Sequence, residues 1–397
     1  MRISTAQIFS LSLNQINSSL NDVTKLTIMN ASQKKVNSPS DDPAGMGKMV
    51  ELSGYRQNLT GCIDNCGVAL DYLDTADQVL STASETITAA LELAEQASTE
   101  TYTEKEMQMM ALEMEGYLDA LYAIANTQLG SDSIFAGDDT GDNAYEMGLG
   151  VTLPNDSLTN ADFMDLTGEL DGNVAVRFTS AGAVGSDALD YEYSTDNGET
   201  WTSATLAAGD TVLNLGDAQV ELASGTAVTT ADDDRNGSQF YLRAACVYTG
   251  SSQAMSVAVS ESTSEDMTTV GNDIFGGVDP STGQPYDSPN LFETLSDCIV
   301  YMENGDADAV AQCLEDLGDC HEIVETGAAG VGARENKITY TQTSLSLVKE
   351  LASNAASSIE DADATQLVIE LEQANYVYQA VLSTSSSVMS MSLLDYI

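Results

Sequence analysis

Basic residues are scarce in this chain: 13 Lys and Arg stand against 62 Asp and Glu, a formal net charge of −49 over 397 residues. Such a surface repels nucleic acid and anionic membrane, which excludes both as partners. Histidine is scarcer still. His321 is alone, so no two-histidine zinc site and no Ser–His–Asp or Cys–His set can be assembled on ordinary terms. His321-Glu322-Ile323-Val324-Glu325 opens like a zinc-protease helix, but Glu325 occupies the place of the second histidine. No apolar run approaches the ~18 residues that cross a bilayer. The N-terminus breaks its apolar residues with polar ones at every second or third place, unlike the core of a secretory signal. A chain of this kind that leaves the cell is expected to do so without a cleaved signal peptide.

The remaining candidates for chemistry fail on spacing. Of the six cysteines, Cys66, Cys298, Cys313 and Cys320 fall on apolar helical rows, where cysteine acts as a small hydrophobe. Cys62 precedes Cys66 by one helical turn, poor geometry for a disulfide. Buried free thiols are expected, and packing outweighs a Cys313–Cys320–His321 ligand set. Asp232-Asp233-Asp234-Arg235-Asn236-Gly237 matches half of a calcium loop, yet Arg243 stands where its bidentate Glu belongs. This turn and Asp138-Asp139-Thr140-Gly141-Asp142 read as acidic surface, with weak calcium binding as the alternative. Gly327–Gly332 lacks the Lys-Ser or Lys-Thr of a phosphate loop. No catalytic residue, cofactor or metal ligand is expected, and the chain does not read as an enzyme.

What is present is helical periodicity at both ends. From Arg334 onward there is neither glycine nor proline, so nothing local interrupts a long helix. Leu367, Leu371, Ala374, Tyr378, Val381, Ser385 and Val388 recur at alternating steps of four and three, the heptad rule of a helix meant to lie along another. Phe9, Leu13, Ile16, Leu20 and Val23 repeat the rule at the other end. A loop at Val36–Gly45, with Asp42 as a helix cap and Pro43 at the first helical position, leads into a second long helix. Its expected seam is Leu59, Ile63, Cys66, Leu70, Leu73, Asp77, Leu80, Ser84, Ile87, Leu91 and Ala94. A third seam follows at Met107, Met110, Met114, Tyr117, Leu121 and Ile124, in a helix ending at Gly130.

Between about 141 and 285 the helical period vanishes. Glycines and short alternating runs predict β structure, with a hairpin turning at Thr195-Asp196-Asn197-Gly198 and its second strand over Glu199–Ala204. Helix resumes after a Ser288-Pro289 cap, with stripes at Leu291, Leu295, Cys298, Met302 and at Val310, Cys313, Leu317, Cys320, Val324. A break at Gly327–Gly332 and a falter at Glu360–Asp363 are expected. The fold class is therefore α+β: a long antiparallel helical bundle or coiled coil built from both chain ends, with an inserted β-rich domain. The expected parts are 1–36 and 344–397 as assembly helices, 37–140 and 286–343 as the two halves of a helical rod, and 141–285 as the surface domain. Ten of the thirteen basic residues lie in 1–105 or 334–397, so the ends are nearer neutral and able to pack while the middle is a solvated acidic body.

This plan resembles the flagellar axial proteins. Val36-Asn37-Ser38-Pro39-Ser40-Asp41-Asp42-Pro43-Ala44-Gly45 is similar to the loop shared by flagellins and hook-associated protein 3, and Val331-Gly332-Ala333-Arg334 with Asn336 to their shared C-terminal segment. Within that superfamily the chain resembles the hook-associated protein 3 group. The carriers are Ala125-Asn126-Thr127 with Gly130, then Ile134-Phe135-Ala136-Gly137-Asp138-Asp139-Thr140, and the ending Ser392-Leu393-Leu394-Asp395-Tyr396-Ile397. The likeness covers about 1–140 and 286–397. It implies extracellular flagellar location at the hook–filament junction, unfolded export, terminal segments that fold on assembly, contact with hook-associated protein 1 and flagellin, self-association in a ring, and an export chaperone on the C-terminal helix. It makes Asn37, Pro39, Ser40, Asp41, Asp42 and Pro43 the family loop and Phe135, Gly137 and Arg334 family markers. The alternatives are a filament flagellin, or an exported adhesin or enzyme acting through the middle domain.

Overall fold

The computed structural model describes residues 5–99, 102–170, 172–231, 236–260, 262–287 and 289–394. Its helices are α1 (Thr5–Ser32), α2 (Pro43–Ala97), α3 (Glu104–Ala125), the single turn α4 (Asn272–Phe275), α5 (Leu291–Glu303), α6 (Ala307–Glu360) and α7 (Ala364–Leu394). Helices from both termini thus frame a central β-rich region. The chain divides into two compact units, residues 1–64 with 342–397, and residues 65–341.

In the larger unit the buried row of α2 reads Cys66, Ala69, Leu73, Ala76, Leu80, Ala83, Ile87, Ala90, Ala94 and Ala97. The expected seam shares one row of this heptad, Cys66, Leu73, Leu80, Ile87 and Ala94. The second row lies one residue earlier, on the alanines, leaving Asp77 exposed. An alanine every seventh place costs no side-chain entropy and lets a neighbouring backbone approach closely. A one-residue move in the other direction occurs on α3, where Ala111, Leu118 and Ala125 join Met107, Met114 and Leu121 in the interior. On α6 the row Val310, Cys313, Leu317, Cys320, Val324, Val331 and Ile338 is buried. Ser84 Oγ meets His321 Nε2 at 2.9 Å, tying α2 to α6.

That row runs straight through the glycines. α6 is continuous over 54 residues, so Gly327–Gly332 does not break it. Three helical glycines cost about 1 kcal/mol each, whereas Val324 and Val331, both fully buried, each return about 1.5–3 kcal/mol. Packing wins. The helix ends only at Glu360, and α7 begins at Ala364. Two other boundaries differ from expectation. α5 is capped by Asn290, whose Oδ1 accepts from Glu293 N–H at 3.2 Å, so Pro289 is not its first residue; Ser288 lies outside the described residues. α3 stops at Ala125 because Asn126 turns its amide onto the backbone of Tyr145, accepting from its N–H at 2.8 Å and donating to its carbonyl at 3.1 Å.

The main sheet is organised on the strand Gln239–Tyr248, paired antiparallel along Tyr145–Thr152 and, through Gln239–Leu242, with Val174–Phe178. Leu189–Ser194 and Thr202–Leu206 follow in order. Their hairpin loop is longer than predicted: the second strand starts at Thr202, and Trp201 instead lies 4.0 Å from the Arg177 guanidinium. A three-stranded sheet of Phe163–Gly168, Ala218–Leu222 and Val212–Leu215 supplies the other side of the β core. Phe178, Leu189, Leu213, Val220, Phe240 and Leu242 are buried there, with the Phe163 and Phe240 rings edge to face at 4.9 Å. All six cysteines are free thiols, five of them buried. Burial pushes the Cys246 thiol up to about 12 and Cys320 to about 11.

Candidate assembly surface

In the smaller unit α1 and α7 run antiparallel. Gln33 carbonyl accepts from Ala362 N–H at 3.1 Å and Glu360 carbonyl from Lys35 N–H at 2.7 Å, a bridge between Lys34 and Asp361 that Lys34 and Glu360 reinforce as an ion pair. Gln33 takes φ 58° to make the corner. The predicted falter at 360–363 is thus one arm of a clasp.

On α7 the predicted seam is the sheltered side. Leu367 and Ser385 are buried and Leu371, Ala374, Tyr378 and Val381 half-buried, while the Val388 side chain lies outside the described residues, as do Asp395-Tyr396-Ile397. On α1 the sheltered row is Ser12, Ile16, Ser19, Val23, Leu26 and Met29. Ile16 and Val23 belong to the predicted seam; Phe9, Leu13 and Leu20 are exposed, Phe9 at 50%. The pairing row of α1 carries serines, and its largest apolar side chains face away. A helix this polar on its buried side gains little from its one partner.

Of the twenty large apolar side chains exposed among the described residues, fourteen lie in this unit, including Ile28, Leu347, Leu351, Val368, Ile369 and Tyr376. Among the described residues its buried apolar side chains are only Val36, Leu59, Ala352, Ala356 and Leu367. Exposed apolar surface on this scale, over so small a core, marks an interaction surface.

The loop into α2 is ordered by two aspartates. Asp41 Oδ2 accepts from the N–H groups of Asn37 (3.2 Å) and Ser38 (2.9 Å) and from the Ser38 hydroxyl (3.0 Å), and Lys25 Nζ lies 3.3 Å from Oδ1. These bonds, chiefly those from Ser38, hold the Asp41 carboxyl below the usual range. Asp42 caps α2, accepting from Ala44 and Gly45 N–H at 3.1 and 2.9 Å, with Pro43 as the first helical residue. Pro39 and Ser40 form the exposed tip, where the Ser38 and Ser40 hydroxyls are 2.7 Å apart.

The three markers meet in the larger unit. Phe135 is fully buried in a ring cluster with Phe275 at 5.2 Å, beside Tyr145, Tyr248 and Phe292. Its carbonyl accepts from Gly271 N–H at 2.8 Å and the Tyr248 hydroxyl at 3.1 Å. Gly137 (φ +70°) lets the chain pass where a Cβ would lie 2.5 Å from the Ser251 carbonyl. Arg334 reaches from α6 to the Thr268 carbonyl at 3.0 Å and the Thr269 hydroxyl at 2.9 Å. The markers therefore form a joint between helices and sheet. No spacing rule could have revealed the joint, because its partners lie from 65 to more than a hundred residues apart.

Asp232–Arg235 lie outside the described residues. Among the described residues no group of three or more acidic, histidine or cysteine side chains is arranged to hold a metal, and no helix is long and apolar enough to cross a membrane.

The bacterial flagellin N-terminal helical region matches residues 3–140 and the bacterial flagellin C-terminal helical region residues 314–397. The chain belongs to the flagellin family. A flagellin from Listeria innocua is 25% identical over 196 residues, 49% of this chain and 66% of that protein. Among solved structures, a putative flagellar hook-associated protein from Vibrio parahaemolyticus is similar at TM-score 0.49 and 13% identity, over 81% of this chain and all of that one. FlgL of Bacillus cereus gives TM-score 0.44 at 14% identity over 77% and 99%. The exposed helices of the smaller unit thus sit in the two regions that carry the family, and this flagellin-family chain is a structural component of the flagellum.

Proposed function

We propose that this flagellin-family chain joins the hook to the filament. It polymerises by helix–helix contact, with hook-associated protein 1 on one side, flagellin on the other and copies of itself in a ring. Polymerisation is supported by the smaller unit, where fourteen large apolar side chains await neighbours. Burying each fully would contribute about 1.5–3 kcal/mol, enough to order α1 and α7 as they assemble. The observation that carries the junction reading is the stretch Ala125–Thr140, which resembles hook-associated protein 3 and is committed to the joint through Asn126 and Phe135. Before assembly the same apolar faces need covering, which suits an export chaperone on the C-terminal helix and passage outward in unfolded form.

The similarity to Listeria flagellins favours a second reading, the filament subunit itself. Immunogold labelling of isolated flagella with antibody to residues 141–285 separates the two. A single band between hook and filament is expected; label along the whole filament would make the chain a flagellin.

A further inference from the structure

A groove of about 520 Å³ opens in the larger unit between the outer face of α6 and the turn α4. Ile274, Ile323, Gly327 and Gly330 supply its apolar floor, and the carboxylates of Asp273, Asp319 and Glu322 stand exposed around it. Among the described residues no Lys or Arg forms an ion pair with any of the three. Arg334, which also lines the groove, donates instead to the Thr268 carbonyl and the Thr269 hydroxyl. A surface that is apolar within and acidic at the rim complements an apolar face carrying positive charge.

A face of that kind is exposed on α3. Lys105, Met109, Leu112 and Gly116 follow one another at steps of four, three and four, opposite the buried Met107, Ala111 and Met114. Met109 is 59% and Leu112 68% exposed. Other basic residues of the larger unit are engaged within it: Arg177 pairs with Glu192, Arg243 with Glu293 and Lys337 with Glu265. Lys105 makes no ion pair among the described residues. On α6, Asp319, Ile323, Thr326 and Gly330 step by the same four, three and four. Laid parallel, the two rows put Lys105 beside Asp319 and Glu322, with Met109 and Leu112 over Ile323 and the glycines. A Cβ at Gly330 would meet nothing within 4 Å, so a neighbouring side chain has room there.

We propose that this groove receives α3 of a second copy of the chain. The contact rests on the proposed association of copies and names the surfaces through which they hold one another. Those surfaces differ, so each copy gives its α3 row to one neighbour and receives another row on its groove, and the contact passes from copy to copy.

The test uses the full chain with a photoreactive phenylalanine analogue in place of Leu112, assembled into flagella and irradiated there. The expected product is a pair of copies cross-linked between position 112 and a peptide within 319–334. Lys105→Glu and Glu322→Lys should each lower the yield at least about fivefold, by setting like charges face to face, and the double variant should restore it. Both side chains are exposed, so each variant should melt with the parent, and the restoration separates a lost contact from a lost fold. Cross-links to another flagellar protein alone, cross-links between copies that avoid the groove, or no cross-link in the incorporated chain would overturn the contact. A double variant no better than the single ones would overturn it too. Antibody labelling of the same flagella judges the junction role separately: label along the whole filament, with cross-links still at the groove, would sink that role and sustain the contact.

Discussion

Asp41 shows how one carboxylate can order a loop that glycine and proline leave open. It gathers two backbone N–H groups and a hydroxyl, and its folded pKa falls below the ordinary aspartate value. A depressed value means the ionised form is the bound one. The stabilisation is therefore complete above the unfolded pKa of about 3.9 and is lost as pH falls through the folded value. The protection factor of the Ser38 amide, the ratio of its intrinsic to its observed exchange rate at the same pH, should be high at about pH 6 and fall below about pH 4, and Asp41→Asn should be weakly protected throughout. An Asn variant as protected as the parent would mean that the turn is held by Pro39 and Pro43 alone. Arg243 makes the opposite point. Nothing in its sequence neighbourhood separates it from the half-buried Arg177, and only the fold reveals that it is buried against Glu293 and Asp297.

At the scale of elements, long apolar repeats were legible and their second rows were not. Cys66, Leu73, Leu80 and Ile87 announce α2, but alanine is hydrophobic enough for a core and small enough to be passed over, so Leu70 and Leu91 drew the seam one place too far. The same bias misread Met110 and Tyr117 on α3. Gly327–Gly332 misled in the other direction, since propensity reads glycine as a stop while tertiary packing overrides it. The two kinds of glycine there can be separated. A Cβ at Gly330 meets nothing within 4 Å, whereas at Gly327 it would lie 3.0 Å from Ile274 Cδ1. Gly330→Ala should raise stability by up to about 1 kcal/mol through helix propensity. Gly327→Ala should gain less or lose stability as Ile274 is displaced. Urea unfolding followed by circular dichroism would measure both, and equal gains would show that Gly327 is not a packing position.

At the scale of the molecule, charge and apolar surface are divided between the two units. Between Lys105 and Arg334 only Arg177, Arg235 and Arg243 are basic, and the fully buried side chains are concentrated in residues 65–341. That unit carries its own core of β-sheet faces and the inner rows of α2, α3, α5 and α6, and is expected to fold without the chain ends. The 1–64 and 342–397 unit has the reverse composition, little core and much exposed apolar helix, so its order is completed by neighbours. Deleting residues 367–397 removes most of α7, the helix paired along α1. The expected outcome is a protein whose Trp201 fluorescence and unfolding midpoint match those of the full chain, because Trp201 packs on Ala175, Tyr241 and Val300 in the larger unit. Incorporation into flagella, scored by immunogold, should fall to background. A truncated chain that still incorporates would show that assembly runs through α2 and α6 alone. A truncated chain with a lowered midpoint would show that the larger unit draws stability from the terminal pair.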